Sequence, residues 1–274
     1  LLWGLTALLG KAISLDALAL VFYRVVLVAA LMAVVMGARR IPFRVAPRRA
    51  LELGGAGVFV ALHWVLFYAA VKYAGVAIAV LCLSTMTFFT ALLEPVALRR
   101  WPRRSELALG IAVVVGVLLL LEVEFHASAK AYGMGLGAAF FSAAFGAWNG
   151  RLARHEDGHR VTLYELGAAG LVCGVGLVVS GGGVAPWDVT PMDWVYLMVL
   201  SVLCTFLPWL WSLRVLRTLS PYTVAISVSL EPVYSIALAA LVWPTEERLS
   251  LRFAAGTALL IGLVALNGLL KRPR

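Results

Sequence analysis

Charge is scarce in this sequence. Of 274 residues only 14% are Asp, Glu, Lys or Arg, while 62% are hydrophobic. A soluble domain of this size needs far more charge to cover its surface, so a freestanding globular protein is excluded. Cysteine is nearly absent as well. The three present, Cys82, Cys173 and Cys204, each fall inside an apolar run without metal-ligand or disulfide spacing. They read as small packing residues. No Gly-rich phosphate loop, His/Cys metal cluster or nucleophile elbow occurs. An enzyme is therefore not expected, nor a cofactor or a metal. A basic face on a soluble element, which nucleic-acid binding needs, is missing too.

What fills the chain instead is apolar sequence in lengths suited to a bilayer. A spanning helix needs about 20 predominantly apolar residues. Such runs lie at 1–13, 16–37, 50–71, 75–98, 106–122, 131–150, 161–181, 194–213, 221–243 and 252–270. Their continuous apolarity excludes the period-two alternation of barrel strands. The expected fold is an all-α integral membrane protein with ten transmembrane helices. The first run is short and opens on Leu1 rather than Met, so further residues are expected before it. Trp3-Gly4, Lys11 and the lack of a small-residue cleavage site argue against a signal peptide.

The basic residues sort into alternate loops. Arg39, Arg40, Arg44, Arg48 and Arg49 lie between runs 2 and 3, and Arg99, Arg100, Arg103 and Arg104 between runs 4 and 5. Arg151, Arg154 and Arg160 follow run 6, Arg214 and Arg217 follow run 8, and Lys271, Arg272 and Arg274 close the chain. Together these are 17 of the 23 Lys/Arg. The opposite side receives Lys11, Lys72, Lys130, Arg248 and Arg252, and Arg24 sits inside a run. The positive-inside rule then places both termini in the cytoplasm. The net charge of +9 reports topology and contact with anionic lipid.

Two copies of one unit are expected, at 1–125 and 126–274. An offset of 145 pairs Trp64 with Trp209, Lys72 with Arg217, Ser84 with Ser229, Phe89 with Tyr234 and Leu93 with Leu238. Five runs per unit is an odd number, so the second copy must cross the membrane inverted. The loop charges agree. Five arginines lie between runs 2 and 3, whereas the counterpart loop from Gly181 to Asp193 holds no Lys or Arg, only Asp188 and Asp193. Inverted repeats are the architecture of many secondary transporters, with a site near the midplane.

Several strings also resemble one family. They are Leu2-Trp3-Gly4, Phe22-Tyr23-Arg24, Ser84-Thr85 and Phe89-Thr90-Ala91-Leu92-Leu93 in the first half. In the second half they are Leu219-Ser220-Pro221, Leu230-Glu231-Pro232-Val233 and the last run ending in Asn267. Along its whole length the chain resembles the EamA-like, ten-helix branch of the drug/metabolite transporter superfamily. Within that branch it is similar to exporters of amino acids, aromatic ones above all. It departs from the pattern at Thr87, where the family often has proline, which leaves open a helix break in run 4.

Polar groups at bilayer depth are costly unless they face the bundle interior, and they supply the candidate site. The expected substrate contacts are His63, Trp64, Phe67, Ser84, Thr85, Trp148, Asn149, Trp209, Ser229 and Tyr234. Glu231 has two readings, a coupling or amine-binding group and a brace beside Pro232. Arg24 also has two, a carboxylate ligand and a member of a structural pair. Glu165 reads as a structural group near the interface. Trp211 belongs with the aromatic set, whereas Trp101, Trp187, Trp194 and Trp243 read as interface anchors. Gly133-x-x-x-Gly137, Gly146-x-x-x-Gly150 and Gly170-x-x-x-Gly174 are close-packing signals.

The expectation is a secondary transporter in a bacterial-type inner membrane. It would export small metabolites, by resemblance amino acids, through alternating access of a cavity between the repeats. Its partners would be that small molecule and membrane lipid. Two alternatives stand beside it, a carrier of nucleosides, sugars or drugs, and a channel or scaffold without turnover. A channel would show polar rings at pore spacing, and a phosphate-bearing substrate would favour several buried basic residues.

Overall fold

Helices account for the regular structure of the described residues, and no strand occurs among them. The structure is a computed structural model and describes residues 2–101, 103–121, 128–242 and 251–270. In chain order the helices are α1 (Gly4–Ala12), α2 (Ala17–Ala38), α3 (Pro47–Ala74), α4 (Val76–Ser84), α5 (Met86–Leu98), α6 (Arg104–Leu121) and α7 (Ala129–His155). They continue as α8 (Gly158–Ser180), α9 (Pro191–Ser201), α10 (Leu207–Val215), α11 (Pro221–Val228), α12 (Glu231–Val242) and α13 (Leu251–Leu270). Six stretches are long and apolar enough to cross a membrane: α2, α3, α4 with α5, α8, α9 through α10, and α11 through α12. The anchor Trp243, the basic residues Arg248, Lys271, Arg272 and Arg274, and the expected 125/126 boundary lie outside the described residues, as does Leu1.

Side chains at the helix ends explain where the chain enters and leaves each helix. Asp16 accepts from the Leu18 and Ala19 amides at the start of α2, and Asp157 from His159 at the start of α8. Thr190 caps α9 and Ser220 caps α11 in the same way. Pro47, Pro191 and Pro221 open their helices, where a missing N–H costs nothing. Gly75 turns the chain from α3 into α4 at φ 90°, a conformation that favours glycine.

Three apolar runs contain a break. Run 4 divides at Thr85 without any proline at 87. The Thr85 hydroxyl instead donates to the Cys82 carbonyl at 2.6 Å, and Ser84 to Val80 at 3.3 Å. Run 9 divides at Ser229-Leu230, where the Ser229 hydroxyl donates to Ile226 at 2.6 Å. In run 8 a π turn over Val202–Phe206 joins α9 to α10 just before Pro208. There the Thr205 hydroxyl donates to the Leu200 carbonyl at 2.7 Å, five residues back.

The halves interlock. The helix α2 lies along α8, α3 packs on both α7 and α8, α5 packs on α7, and α6 pairs with α13. The α4–α5 rod is the most buried of the six candidate spans. Close approach depends on small residues at a few points. A Cβ on Gly57 would lie 2.3 Å from the Glu165 carbonyl, and one on Gly150 would lie 2.2 Å from Pro221. Of the three glycine pairs singled out by spacing, only Gly150 makes so tight a contact. Gly133 and Gly146 face open space.

Candidate functional site

One cavity runs into the middle of the bundle, enclosing about 900 Å³ with its open mouth included. Its walls come from α1, α2, α3, α4, α5, α7, α10, α11 and α12. Six aromatic rings line it: Trp3, His63, Trp64, Phe67, Phe145 and Trp209. Trp209 bridges the two sides. Its ring lies 5.4 Å from Trp64 and stacks at 5.4 Å on Phe145. Such offset and tilted pairs are the favoured aromatic geometries.

Arg24 supplies the fixed positive charge. Residue Arg24 is 1% exposed, and its Nε donates to the Thr205 hydroxyl at 2.7 Å and its Nη1 to the Tyr68 hydroxyl at 2.6 Å. The guanidinium lies 4.0 Å over the Trp64 ring. The π turn thus has a use, because it presents Thr205 to Arg24 while satisfying its own hydroxyl proton. π turns inside α-helices often occur at such sites. Among the described residues no carboxylate lies within ion-pair distance of Arg24, and its Nη2 is left without a hydrogen-bond partner. A buried guanidinium oriented by two hydroxyls and an indole can receive a planar carboxylate.

Glu231 brings the opposite charge to the same cavity. It sits in the first turn of α12, where the helix dipole favours an anion. Pro232 follows at a position that tolerates its missing N–H. Aromatic walls with one cation and one anion can hold a molecule that is itself dipolar, with an apolar body between its charged groups.

His63 donates from Nδ1 to the Ala138 carbonyl at 2.8 Å, since a carbonyl can only accept. Its ring stacks near Phe67 at 6.1 Å and lies tilted against Phe145 at 5.4 Å. The bond fixes the tautomer and leaves Nε2 as the free nitrogen.

Of the expected contacts, His63, Trp64, Phe67, Asn149 and Trp209 line the cavity together with Arg24 and Glu231. Ser84, Thr85 and Ser229 do not line it. Their hydroxyls bond carbonyls at the helix breaks. Trp148 lies outside it, with the Arg151 guanidinium 6.0 Å over its ring. Tyr234 and Trp211 line a groove on the flank, which meets the cavity at Trp3, Ser212, Val224, Val228 and Glu231. Glu165 is fully buried rather than interfacial. Trp101 and Trp187 are highly exposed at helix ends, and Trp194 is half-buried.

Several residues that matter here were not singled out by sequence reasoning. Tyr68 and Thr205, which hold Arg24, carry no local signal. Glu94 does carry one, because Leu93-Glu94-Pro95-Val96 repeats Leu230-Glu231-Pro232-Val233 letter for letter. Glu94 is 1% exposed and accepts from the Tyr222 amide at 2.6 Å, tying the end of α5 to the start of α11. Arg100 donates to the same carboxylate at 3.0 Å and pairs also with Glu106.

A multi-pass helical bundle around a central, aromatic-walled cavity defines a class, the membrane proteins that admit small molecules into their interior. The comparisons with known proteins make this particular. The model of the EamA-like transporter family matches residues 1–122 and 129–269, so the chain belongs to that family and, with it, to the drug/metabolite transporter superfamily. It is a membrane transporter of small molecules. A solved structure titled "Crystal structure of protein" is similar at a TM-score of 0.78 and 18% identity. The match covers 98% of this chain and 93% of that one, a likeness of fold. No curated protein sequence matches the chain.

Proposed function

We propose that the protein exports neutral amino acids, aromatic ones foremost, across a bacterial-type inner membrane by alternating access. The observation that carries this reading is the placing of Arg24 and Glu231, opposite in charge, on one aromatic-walled cavity. The α-carboxylate binds the free Nη2 edge of Arg24. The ammonium binds Glu231, and the side chain lies among Trp64, Phe145 and Trp209, where it gains ring contacts. A dipolar ligand leaves neither buried charge unpaired, which is where binding of a zwitterion finds its advantage over a neutral sugar or nucleoside. The outward direction is drawn from the resemblance to amino acid exporters.

Alternating access is proposed to arise from two inverted five-helix units, with the other runs spanning the membrane beside the six long apolar stretches. Three features support this. The breaks at Thr85 and at Ser229-Leu230 agree with the 145-residue offset. Runs 2 and 7 pack as a counterpart pair, and so do runs 5 and 10. The loop arginines reverse between the halves. With the positive-inside rule, both termini lie in the cytoplasm.

Uptake of labelled aromatic amino acids, nucleosides and sugars into proteoliposomes tests the reading. Saturable counterflow of the amino acids alone is the expected result. Transport of a sugar or nucleoside with no response to amino acids would overturn it.

A further inference from the structure

Behind the cavity wall lies a carboxyl group with no counter-ion among the described residues. Glu165, on α8, is 0% exposed. Its Oε2 accepts from Asn149 Nδ2 at 3.2 Å. Two other atoms of this pair, Glu165 Oε1 and Asn149 Oδ1, are both acceptors, both buried, and both without a hydrogen-bond partner. The indole N–H of Trp209 interacts with the same carboxyl, though its geometry falls short of a formed hydrogen bond.

The following charged and titratable groups on the helices packed around α8 have partners other than Glu165. Arg24 on α2 is held by Thr205 and Tyr68. On α3, Glu52 pairs with Arg151 of α7 at 3.2 Å, His63 donates to Ala138, and Lys72 donates to the Ile13 carbonyl. On α8 itself, Arg160 pairs with Glu156. Among the described residues no cation lies within ion-pair distance of Glu165. An ionised carboxylate there is uncompensated and costly.

A single proton satisfies both orphaned acceptors. Placed on Glu165 Oε1, it turns one orphaned acceptor into a donor for the other, Asn149 Oδ1. With the existing Nδ2–H to Oε2 bond this closes a cyclic acid–amide pair that bonds both carboxyl oxygens, the amide oxygen and one amide N–H. We infer that Glu165 is a proton-binding site, holding its proton against Asn149, and that it couples proton movement to the transport proposed above, on which this reading rests. Glu165 does not line the cavity. It meets the cavity through Asn149 and Trp209, which do.

Loss of the proton leaves two acceptors facing each other, so the amide must turn or the indole N–H must swing in to donate. Either motion reshapes the cavity wall that the substrate touches. Conversely, a substrate that fixes Asn149 and Trp209 sets how tightly the proton is held. The proton comes from and returns to the cavity side, and no other bond is made or broken.

Two readouts on the purified protein decide the matter. The first is infrared difference spectroscopy of wild type against Glu165→Gln at neutral pH, which should show the C=O band of a protonated carboxyl lost in the variant. The second compares accumulation driven by a pH gradient with counterflow in proteoliposomes. A gradient of one pH unit drives about tenfold accumulation for one proton per substrate. The ratio of driven uptake to counterflow should fall by about that factor in Glu165→Gln, while counterflow persists. An absent band, an unchanged ratio, or a wild type that does not respond to the gradient would overturn the proposal. A wild type that transports no amino acid would instead sink the substrate reading, and the infrared band would still judge the proton site. If the Gln variant does not insert, Glu165→Asp serves, because it keeps the carboxyl and moves its band.

Discussion

The same four residues, Leu-Glu-Pro-Val, occur at 93–96 and at 230–233, and their carboxylates have opposite fates. Glu94 stands near the end of α5, where the helix dipole disfavours an anion. It is stabilised there by Arg100 and by the Tyr222 amide at the start of α11. Glu231 opens α12, where the dipole favours it, and it faces the cavity rather than an arginine. Pro95 lies inside its helix and removes a donor, whereas Pro232 lies in a first turn that has no use for one. One motif is a tie between the two halves of the chain, and the other presents its carboxylate to the cavity. The position of the glutamate along its helix, and the groups brought to it, set the difference.

The largest expected effect falls on the paired carboxylate. Glu94→Ala removes the carboxylate to which the Tyr222 amide and Arg100 donate, and should destabilise by about 3 kcal/mol. Glu231→Ala should cost about 1 kcal/mol or less, because it breaks no ion pair among the described residues. Thermal unfolding in detergent measures both, and equal losses would erase the contrast drawn above. Gly57→Ala should cost about 2 kcal/mol in the same assay by pushing α3 off α8 at the Glu165 carbonyl. The prolines should show the smallest effects. Pro232→Ala should shift stability by about 0.5 kcal/mol at most. Pro95→Ala restores an intrahelical donor and should raise the unfolding temperature. A larger change at 232 than at 95 would reverse the assignment of the two helix positions.

Much of this architecture is legible in the amino-acid order, because hydropathy acts over whole helices. The apolar runs coincide with helices to within a few residues, and Pro232 marks the break in run 9. The break at Thr85 is hidden, since hydroxyls rather than a proline bring it about. Arg24, His63, Trp64, Phe67, Asn149, Trp209 and Glu231 are visible as costly or amphipathic groups at depth. Tyr68 and Thr205 are not, because their role exists only once α2, α3 and the π turn meet. Ser84, Thr85 and Ser229 show the converse. A polar side chain at depth has two ways to be satisfied, and these three are satisfied by their own helix backbone. Glu165 looks like an interfacial residue from its place near the start of run 7. Only the packing of α3 and α7 over it removes water.

The most direct test of the central claim removes one charged end of the ligand at a time. Affinities of an aromatic amino acid, its amide and its deaminated acid are measured for wild type, Arg24→Gln and Glu231→Gln. A buried charge-assisted contact accounts for about 10- to 100-fold in affinity. Wild type should therefore prefer the amino acid over each analogue by about that much. Arg24→Gln should lose its preference over the amide alone, and Glu231→Gln its preference over the deaminated acid alone. Preferences that survive both substitutions would contradict the account.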